Sequence, residues 1–134
     1  MKISASGEYA VRLVVAVAKK QEKYVSLKEV ASEENISIKF AEKIASSLVK
    51  AQILDSLRGQ DGGYKLARPT NQISVGEILK VTGDLSPVAE CLTAGCPMIE
   101  KCSSITVWQR LNGLINEYLN GVMISTLIEK ELKI

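Results

Sequence analysis

The sequence predicts a mostly α-helical protein with one small β-hairpin. Apolar residues recur at helical spacing over several segments, which is typical of amphipathic helices. Two short segments with strand character are joined by a glycine-rich loop, which predicts a hairpin. The length of 134 residues is that of one domain. We therefore expect one compact domain whose core is built mainly by helices.

Composition and charge exclude several classes of protein. Hydrophobic residues make up 46% and charged residues 24% of the chain, so a packed core is expected rather than disorder. No apolar run is long enough to cross a bilayer and no secretory signal pattern is present, so we expect a cytoplasmic protein. Histidine is absent, which removes Ser/His and Cys/His pairs and argues against an enzyme. Residues 1–70 hold 12 Lys and Arg against 8 Asp and Glu, so this half suits an anionic partner.

Three helices are expected in the first part of the chain. The first covers about residues 6–20, with Ser6 as its N-cap. Ser26 and Glu29 form a capping-box pattern that opens a second, short helix ending near Glu34. Ser37 caps a third helix. Its apolar positions predict a buried face made of Ile38, Ala41, Ile44, Ala45, Leu48 and Val49.

A hairpin follows the third helix. Residues 53–58 and 64–67 are strand candidates, and the loop between them is rich in glycine. Two helices joined by a short turn and followed by a hairpin predict a winged helix-turn-helix. Arg58 and Lys65 lie near the tip of the hairpin, and Gly62 and Gly63 let backbone approach a phosphate or the floor of a groove.

The rest of the chain is expected to contain an irregular segment and a long helix. Ser74 and Glu77 form a second capping box that opens a helix running to Gly83. From Ser104, apolar residues step 3, 4, 3, 4 in the manner of a coiled-coil seam, which predicts a long helix with a dimer or core seam. We expect a DNA-binding region at 1–84, a cysteine loop at 85–103, and the long helix with a short terminal helix at 104–134. The predicted seam consists of Trp108, Leu111, Ile115, Tyr118 and Val122.

The three cysteines, at positions 91, 96 and 102, all lie in the irregular segment. Core cysteines usually sit on periodic elements, so a role as apolar filler is the less favoured interpretation. A disulfide is disfavoured by the odd count and the reducing compartment. Zinc is poorly matched, because the C-x4-C and C-x5-C spacings lack the tight pairs of structural zinc sites and no His completes the set. An iron–sulfur cluster fits better, with a carboxylate or hydroxyl oxygen as the fourth ligand.

Over nearly its whole length the sequence resembles the IscR-type, or Rrf-two, family of winged-helix transcription regulators. The resemblance is carried by MKISASGEYA at 1–10, SLKEVA at 26–31, RGxxGGYxL at 58–66, ISVGEI at 73–78, and the three-cysteine loop before a long helix. It implies a homodimer that packs along the long helix, binds palindromic promoter DNA and holds an iron–sulfur cluster in the cysteine loop.

The resemblance also implies the ligands of that cluster. Cys91, Cys96 and Cys102 match the thiolates of the family. Cluster-assembly regulators supply a His three residues after the last Cys, and Ile105 stands there instead. In some relatives a carboxylate on the first helix of the partner subunit completes the cluster, and Glu8 occupies that place, although a solvated carboxylate in a first helical turn is equally ordinary. The cluster type stays open, with 2Fe–2S favoured over 4Fe–4S.

The start of the third helix and the hairpin are the candidate DNA contacts. Ser37, Lys39, Phe40, Glu42 and Lys43 occupy positions from which a recognition helix presents side chains to base edges. The lysines suit phosphate or guanine, and Glu42 suits a cytosine amino group. Arg58 is expected in the minor groove, where the negative potential is concentrated.

The sequence therefore predicts a homodimeric transcription regulator, expected to be a repressor, whose promoter affinity is set by the cluster. The cluster would sense cluster supply, redox state or nitric oxide. No membrane and no small-molecule substrate are expected as partners. Two alternatives remain: a cluster-free regulator that responds to thiol oxidation or a partner protein, and a structural-metal module that binds protein.

Overall fold

The computed structural model describes residues 2–20, 23–89, 92 and 102–129. In this part of the chain the fold is mostly helical with one two-stranded antiparallel sheet, as the sequence predicts. No helix in these ranges is both long and apolar enough to cross a membrane. The elements are α1 (Ala5–Ala18), α2 (Leu27–Glu33), α3 (Ile38–Lys50), β1 (Leu54–Leu57), β2 (Gly63–Leu66), α4 (Val75–Val81), α5 (Ile105–Gly121) and α6 (Ile124–Glu129).

Serine caps begin three of the helices. Ser37 accepts a hydrogen bond from the backbone N–H of Phe40, and Ser74 accepts one from Glu77, as their positions in the sequence predict. The prediction of Ser6 as the cap of the first helix is wrong, because Ser4 holds that position and accepts from the N–H of Gly7. Ser26 precedes α2 but its hydroxyl makes no capping hydrogen bond, so the predicted capping box is not formed there.

Helix α1 is central and packs against α2, α3, α4, α6 and β2. Leu13 and Val14 on this helix are fully buried, as is Leu48 on α3. Asn35, in the turn between α2 and α3, has a φ of 56°, a left-handed conformation that Asn tolerates. The prediction that Ile38 lies in the buried face of α3 is wrong, because it stands at the first helical position and is 41% exposed.

A backbone bridge joins the hairpin to the segment before α2. Leu54 pairs with Leu66 and Leu57 with Gly63, which sets the register of the two strands. Val25 and Tyr64 exchange two backbone hydrogen bonds of 2.8 Å. Gly63 has a φ of 144°, and a Cβ there would lie 2.2 Å from the Val25 carbonyl oxygen. Glycine at this position is therefore required by the contact between the hairpin and the segment before α2.

The C-terminal elements are anchored at a few points. Helix α5 packs mainly on α4, where Gly76 gives room to Asn120 because a Cβ on Gly76 would lie 2.2 Å from Asn120 Oδ1. The prediction that Val122 continues the seam of the long helix is wrong. The helix ends at Gly121, and Val122 takes extended backbone angles, accepts a hydrogen bond from Val75 and is buried in the protomer. Ile124 then enters the core fully buried.

Candidate nucleic-acid interface and cysteine site

The N-terminal half of α3 presents a polar surface. Lys39, Glu42 and Lys43 are exposed, and none of them forms an ion pair with a described residue. Ser37 is exposed beside them at the N-cap. Because Lys39, Glu42 and Lys43 form no ion pair within the described part of the protomer, they are available to phosphates and base edges, whereas the Ser37 hydroxyl also caps α3.

Phe40 differs from its polar neighbours. Its ring is half-buried and meets Tyr9 of α1 edge-on, with the ring centroids 5.5 Å apart. The guanidinium of Arg12 lies 5.2 Å from the centroid of the Tyr9 ring. Arg12 also donates to the carboxylate of Glu34 at 3.1 Å and to the Glu34 carbonyl at the end of α2. Phe40 therefore belongs to a chain of contacts that connects α1 with the turn and with the start of α3.

The cations near the hairpin have different surroundings. Arg58 is exposed at the end of β1 and forms no ion pair with a described residue. Lys65 lies over the Tyr24 ring, 4.9 Å from its centroid. Arg68 donates to the carbonyl oxygens of Gln52 and Gln72 and pairs with Glu77 at 2.5 Å, so it joins the hairpin to α4. Among these three cations, Arg58 is thus the one without an ion-pair or aromatic partner in the described part of the chain.

The loop glycines have a structural role that their sequence pattern does not reveal. A Cβ on Gly62 would lie 2.1 Å from the Leu57 carbonyl oxygen, and Gly63 approaches Val25 as described above. Both glycines let two stretches of the protein's own backbone meet. Their assignment as DNA contacts remains a prediction.

Helix α5 exposes a stripe of large apolar side chains. Only Ile105 is buried in this helix. Three of the predicted seam residues, Trp108, Leu111 and Tyr118, are exposed, and Ile115 is half-buried. We call the exposed set the α5 stripe; it consists of Val107, Trp108, Leu111, Leu114 and Tyr118.

One of the three cysteines lies within the described residues. Cys102 is half-buried and lies two residues before Ser104, the N-cap of α5. Its sulfur lies 3.2 Å from the Ser104 hydroxyl oxygen. Hydrogen bonds from the Ser104 hydroxyl and from the backbone N–H groups of Ser104 and Ile105 lower the pKa of the Cys102 thiol, against the opposing effect of burial. The thiolate is the form that binds iron, so this side chain fits an iron–sulfur ligand. Cys91 and Cys96 lie outside the described residues.

Glu8 lies in the first turn of α1 and is exposed. Arg12, one helical turn further on, is the natural ion-pair partner for a glutamate at this spacing. Arg12 pairs with Glu34 instead, so the Glu8 carboxylate has no ion-pair partner among the described residues. An exposed carboxylate without an ion-pair partner is suited to bind an external ligand or metal.

The start of α1 is held by Asp84, at the base of the cysteine segment. Asp84 Oδ1 accepts from the Ser4 N–H at 2.8 Å, and Oδ2 accepts from the Ser4 hydroxyl at 2.9 Å and from the Thr82 hydroxyl at 2.5 Å. Gly7 gives the carboxylate room, because a Cβ there would lie 2.3 Å from Oδ2. Burial alone would raise the pKa of Asp84, but hydrogen bonds from Thr82 and Ser4 lower it below its usual value. We call this arrangement the Asp84 clamp.

Sequence reasoning missed the Asp84 clamp because its partners are about 80 residues apart in the chain. The single signal in the sequence is a Ser at the start of a helix, which also suits Ser6. No local pattern identifies which distant carboxylate reaches it.

Comparison with known proteins agrees with this geometry. The family described as Rrf2, iron-dependent transcriptional regulator, matches residues 3–130. The HTH-type transcriptional regulator IscR of Sodalis glossinidius is 31% identical over 133 residues, which cover 98% of this chain and 81% of that protein. The solved structure of T. potens IscR superposes with a TM-score of 0.75 at 28% identity and covers 98% of this chain and 89% of that one. The structure of CymR, the global cysteine regulator of B. subtilis, superposes with a TM-score of 0.80 at 29% identity. The match covers 97% of this chain and 98% of that one. These neighbours confirm the predicted fold class.

Proposed function

Since the chain belongs to the Rrf2 family of iron-dependent transcriptional regulators, we propose that it binds palindromic promoter DNA as a homodimer and represses transcription in a cluster-dependent manner. Membership of this family confirms that it is a DNA-binding regulator rather than an enzyme. The proposal concerns the finer points: which residues touch DNA, how two protomers meet, and what is sensed.

The observation that carries DNA binding is the exposed face of α3 beside the hairpin. Lys39 and Lys43 lie one helical turn apart, and Arg58 lies on the wing. We assign the lysines to phosphates and guanine in the major groove, and Arg58 to the minor groove. Ser37 and Glu42 complete the polar surface of the helix, and Gly62 and Gly63 set the shape of the wing.

The α5 stripe supports a homodimer. Five large apolar side chains exposed along one helix are unusual for a monomer, and contiguous patches of this kind mark interaction surfaces. A second copy of the same stripe provides a self-complementary partner, as two-fold symmetry requires. Two winged helices held in this way present two recognition helices to successive half-sites.

The cysteine segment and Glu8 are the proposed cluster site. Cys91, Cys96 and Cys102 would supply thiolates, and Glu8 of the partner subunit would supply the fourth, oxygen ligand. A bound iron–sulfur cluster supplies a centre whose charge depends on its redox state. Cys102 stands at the start of α5, and the Asp84 clamp holds the start of α1 to the other end of the cysteine segment.

The contacts of α1 connect this site with the DNA surface. Tyr9 follows Glu8 and meets Phe40 on α3, and Arg12 binds the end of α2. A shift of α1 therefore changes the position of the recognition helix relative to the wing. We propose this as the route by which the state of the cluster alters promoter affinity.

Anaerobic purification followed by iron, sulfide and absorption measurements tests the cluster. We expect iron and sulfide in the wild type, their loss from Cys91→Ala, and an altered spectrum or lower cluster content in Glu8→Ala. Glu117→Ala is the matched control, because Glu117 is an exposed carboxylate on α5 outside the stripe. A wild-type protein that stays free of iron after reconstitution would contradict the cluster proposal and favour a cluster-free regulator that responds to thiol oxidation.

A further inference from the structure

Ile38 is an apolar side chain that the fold leaves exposed at the start of α3. It is 41% exposed, whereas Ile36, two residues earlier, is 8% exposed. Helical side chains point back toward the N-terminus, so a residue at the first helical position projects past the end of the helix. Ser37, the N-cap, leaves no preceding turn to cover it. The exposure of Ile38 therefore follows from its place in the helix, and the residue lies outside the buried core cluster.

The distribution of exposed apolar residues singles out the same surface. Within the described residues, five of the seven large exposed hydrophobic side chains form the α5 stripe. The remaining two are Ile38 on α3 and Leu57 at the end of β1, next to Arg58. Both lie on the elements proposed to meet DNA, one on the recognition helix and one on the wing.

The neighbours of Ile38 define which part of the DNA it would meet. Ile38 and Glu42 are one turn apart and share a row on the helix surface, as do Lys39 and Lys43. Phe40, the other apolar side chain at the start of the helix, is engaged by Tyr9. The row of Ile38 and Glu42 thus combines one apolar group with one hydrogen-bond acceptor.

We propose that Ile38 is a specificity-determining residue that contacts the C5-methyl group of a thymine in the major groove. This inference rests on the proposed function, because it requires α3 to enter that groove. The thymine methyl is the apolar feature that the major groove offers to a side chain, and cytosine offers the amino donor that suits Glu42. Four residues of helix rise about 6 Å, or about two base-pair steps, so the two bases lie about two positions apart.

Deoxyuridine lacks the C5-methyl group and tests the contact directly. A duplex is first selected from a random library with the wild-type protein. Each thymine is then replaced by deoxyuridine at symmetric positions of both half-sites, and the Kd is measured by fluorescence anisotropy at fixed salt. The proteins are wild type, Ile38→Ala, Ile38→Val and Leu57→Ala. Leu57→Ala is the matched control, because the methyl group lies in the major groove and the wing is assigned to the minor groove.

We expect one position at which deoxyuridine weakens wild-type binding about fourfold per half-site, the effect of removing one buried methyl-sized group. At that position the replacement of thymine by deoxyuridine should not weaken binding by Ile38→Ala. It should weaken binding by Ile38→Val to an intermediate extent, and binding by Leu57→Ala as much as binding by the wild type. Circular dichroism of the variants checks that each is folded.

Two outcomes would overturn the inference alone. In one, no deoxyuridine position weakens wild-type binding. In the other, deoxyuridine weakens binding by Ile38→Ala as much as binding by the wild type, at the position where the wild type is sensitive to it. A selection that yields no specific duplex would overturn the proposed function, and this inference with it.

Discussion

The winged helix and α5 bury their apolar residues in different ways. In residues 2–84, where described, most large apolar side chains lie in one core around α1, and Arg12, Lys20 and Arg68 pair with acids of the same protomer. Helix α5 buries Ile105 and exposes the α5 stripe. The first region buries its apolar residues within one chain, whereas α5 leaves the stripe exposed, and we propose that a second protomer covers it. The proposed protomer contacts and the proposed DNA contacts therefore lie on separate surfaces, and we expect variants to disturb one without the other.

The largest effect is expected from a charge in the middle of the α5 stripe. Leu111→Asp places two carboxylates in the proposed dimer interface, and we expect the dimer dissociation constant to rise at least about 100-fold, or about 3 kcal/mol. Analytical ultracentrifugation should show monomers that keep the helical circular dichroism spectrum. Gln109→Asp, on the same helix outside the stripe, is the matched control and should remain dimeric. Dimers of unchanged affinity in Leu111→Asp would place the interface elsewhere.

A methyl group added to the hairpin should lower the stability of the winged helix, whereas one added to α5 should not. In Gly63→Ala the new Cβ meets the Val25 carbonyl at a φ unfavourable for Ala, so we expect a loss of about 2–3 kcal/mol in the free energy of unfolding. Urea unfolding measures this loss. Gly113→Ala, at an exposed site of α5 with open space around it, should be neutral or stabilising. Equal effects of the two changes would show that the contact with Val25 is not a constraint.

Removing the wing cation should affect DNA binding alone. Arg58 forms no ion pair with a described residue, so Arg58→Ala should unfold at the wild-type urea concentration. We expect its DNA-binding free energy to weaken by about 1–3 kcal/mol. The slope of log K against log salt concentration should become shallower by about one per protomer. Lys50→Ala, at the far end of α3, is the matched control for loss of one exposed positive charge. An unchanged salt dependence would remove Arg58 from the interface.

The Asp84 clamp lies within the first region, and its loss should have a smaller effect. Asp84→Ala removes hydrogen bonds at the start of α1, which we expect to cost about 1–2 kcal/mol of unfolding free energy at neutral pH. Because the folded-state pKa of Asp84 is lowered, its contribution is present above the unfolded pKa of about 4 and is lost as the pH falls through the folded pKa. The difference between wild type and variant, measured by urea unfolding, should therefore shrink in acid. A difference independent of pH would contradict the role of the charged carboxylate.

Much of this arrangement could be predicted from local sequence patterns. Helical periodicity predicted α3 and α5, and Ser37 and Ser74 marked helix starts correctly because a cap acts within one turn. Ile38 was misassigned because periodicity places it on the apolar face, whereas at the first helical position it has no preceding helical turn to cover it. Val122 was misassigned because the seam pattern continues past the Gly that ends the helix. The Asp84 clamp and the contact of Tyr9 with Phe40 depend on tertiary packing, which no local pattern encodes.

In the mechanism that we propose, the cysteine segment and the DNA surface are energetically coupled through α1. The most direct test compares the Kd of one selected duplex for anaerobically purified protein and for the same protein after chelation of its iron, at one salt concentration. We predict a change of at least about tenfold, or about 1.4 kcal/mol, that is reduced in Phe40→Ala while the cluster spectrum is kept. Equal affinities of the two forms of the wild-type protein would show that the cysteine segment and the DNA surface are not coupled.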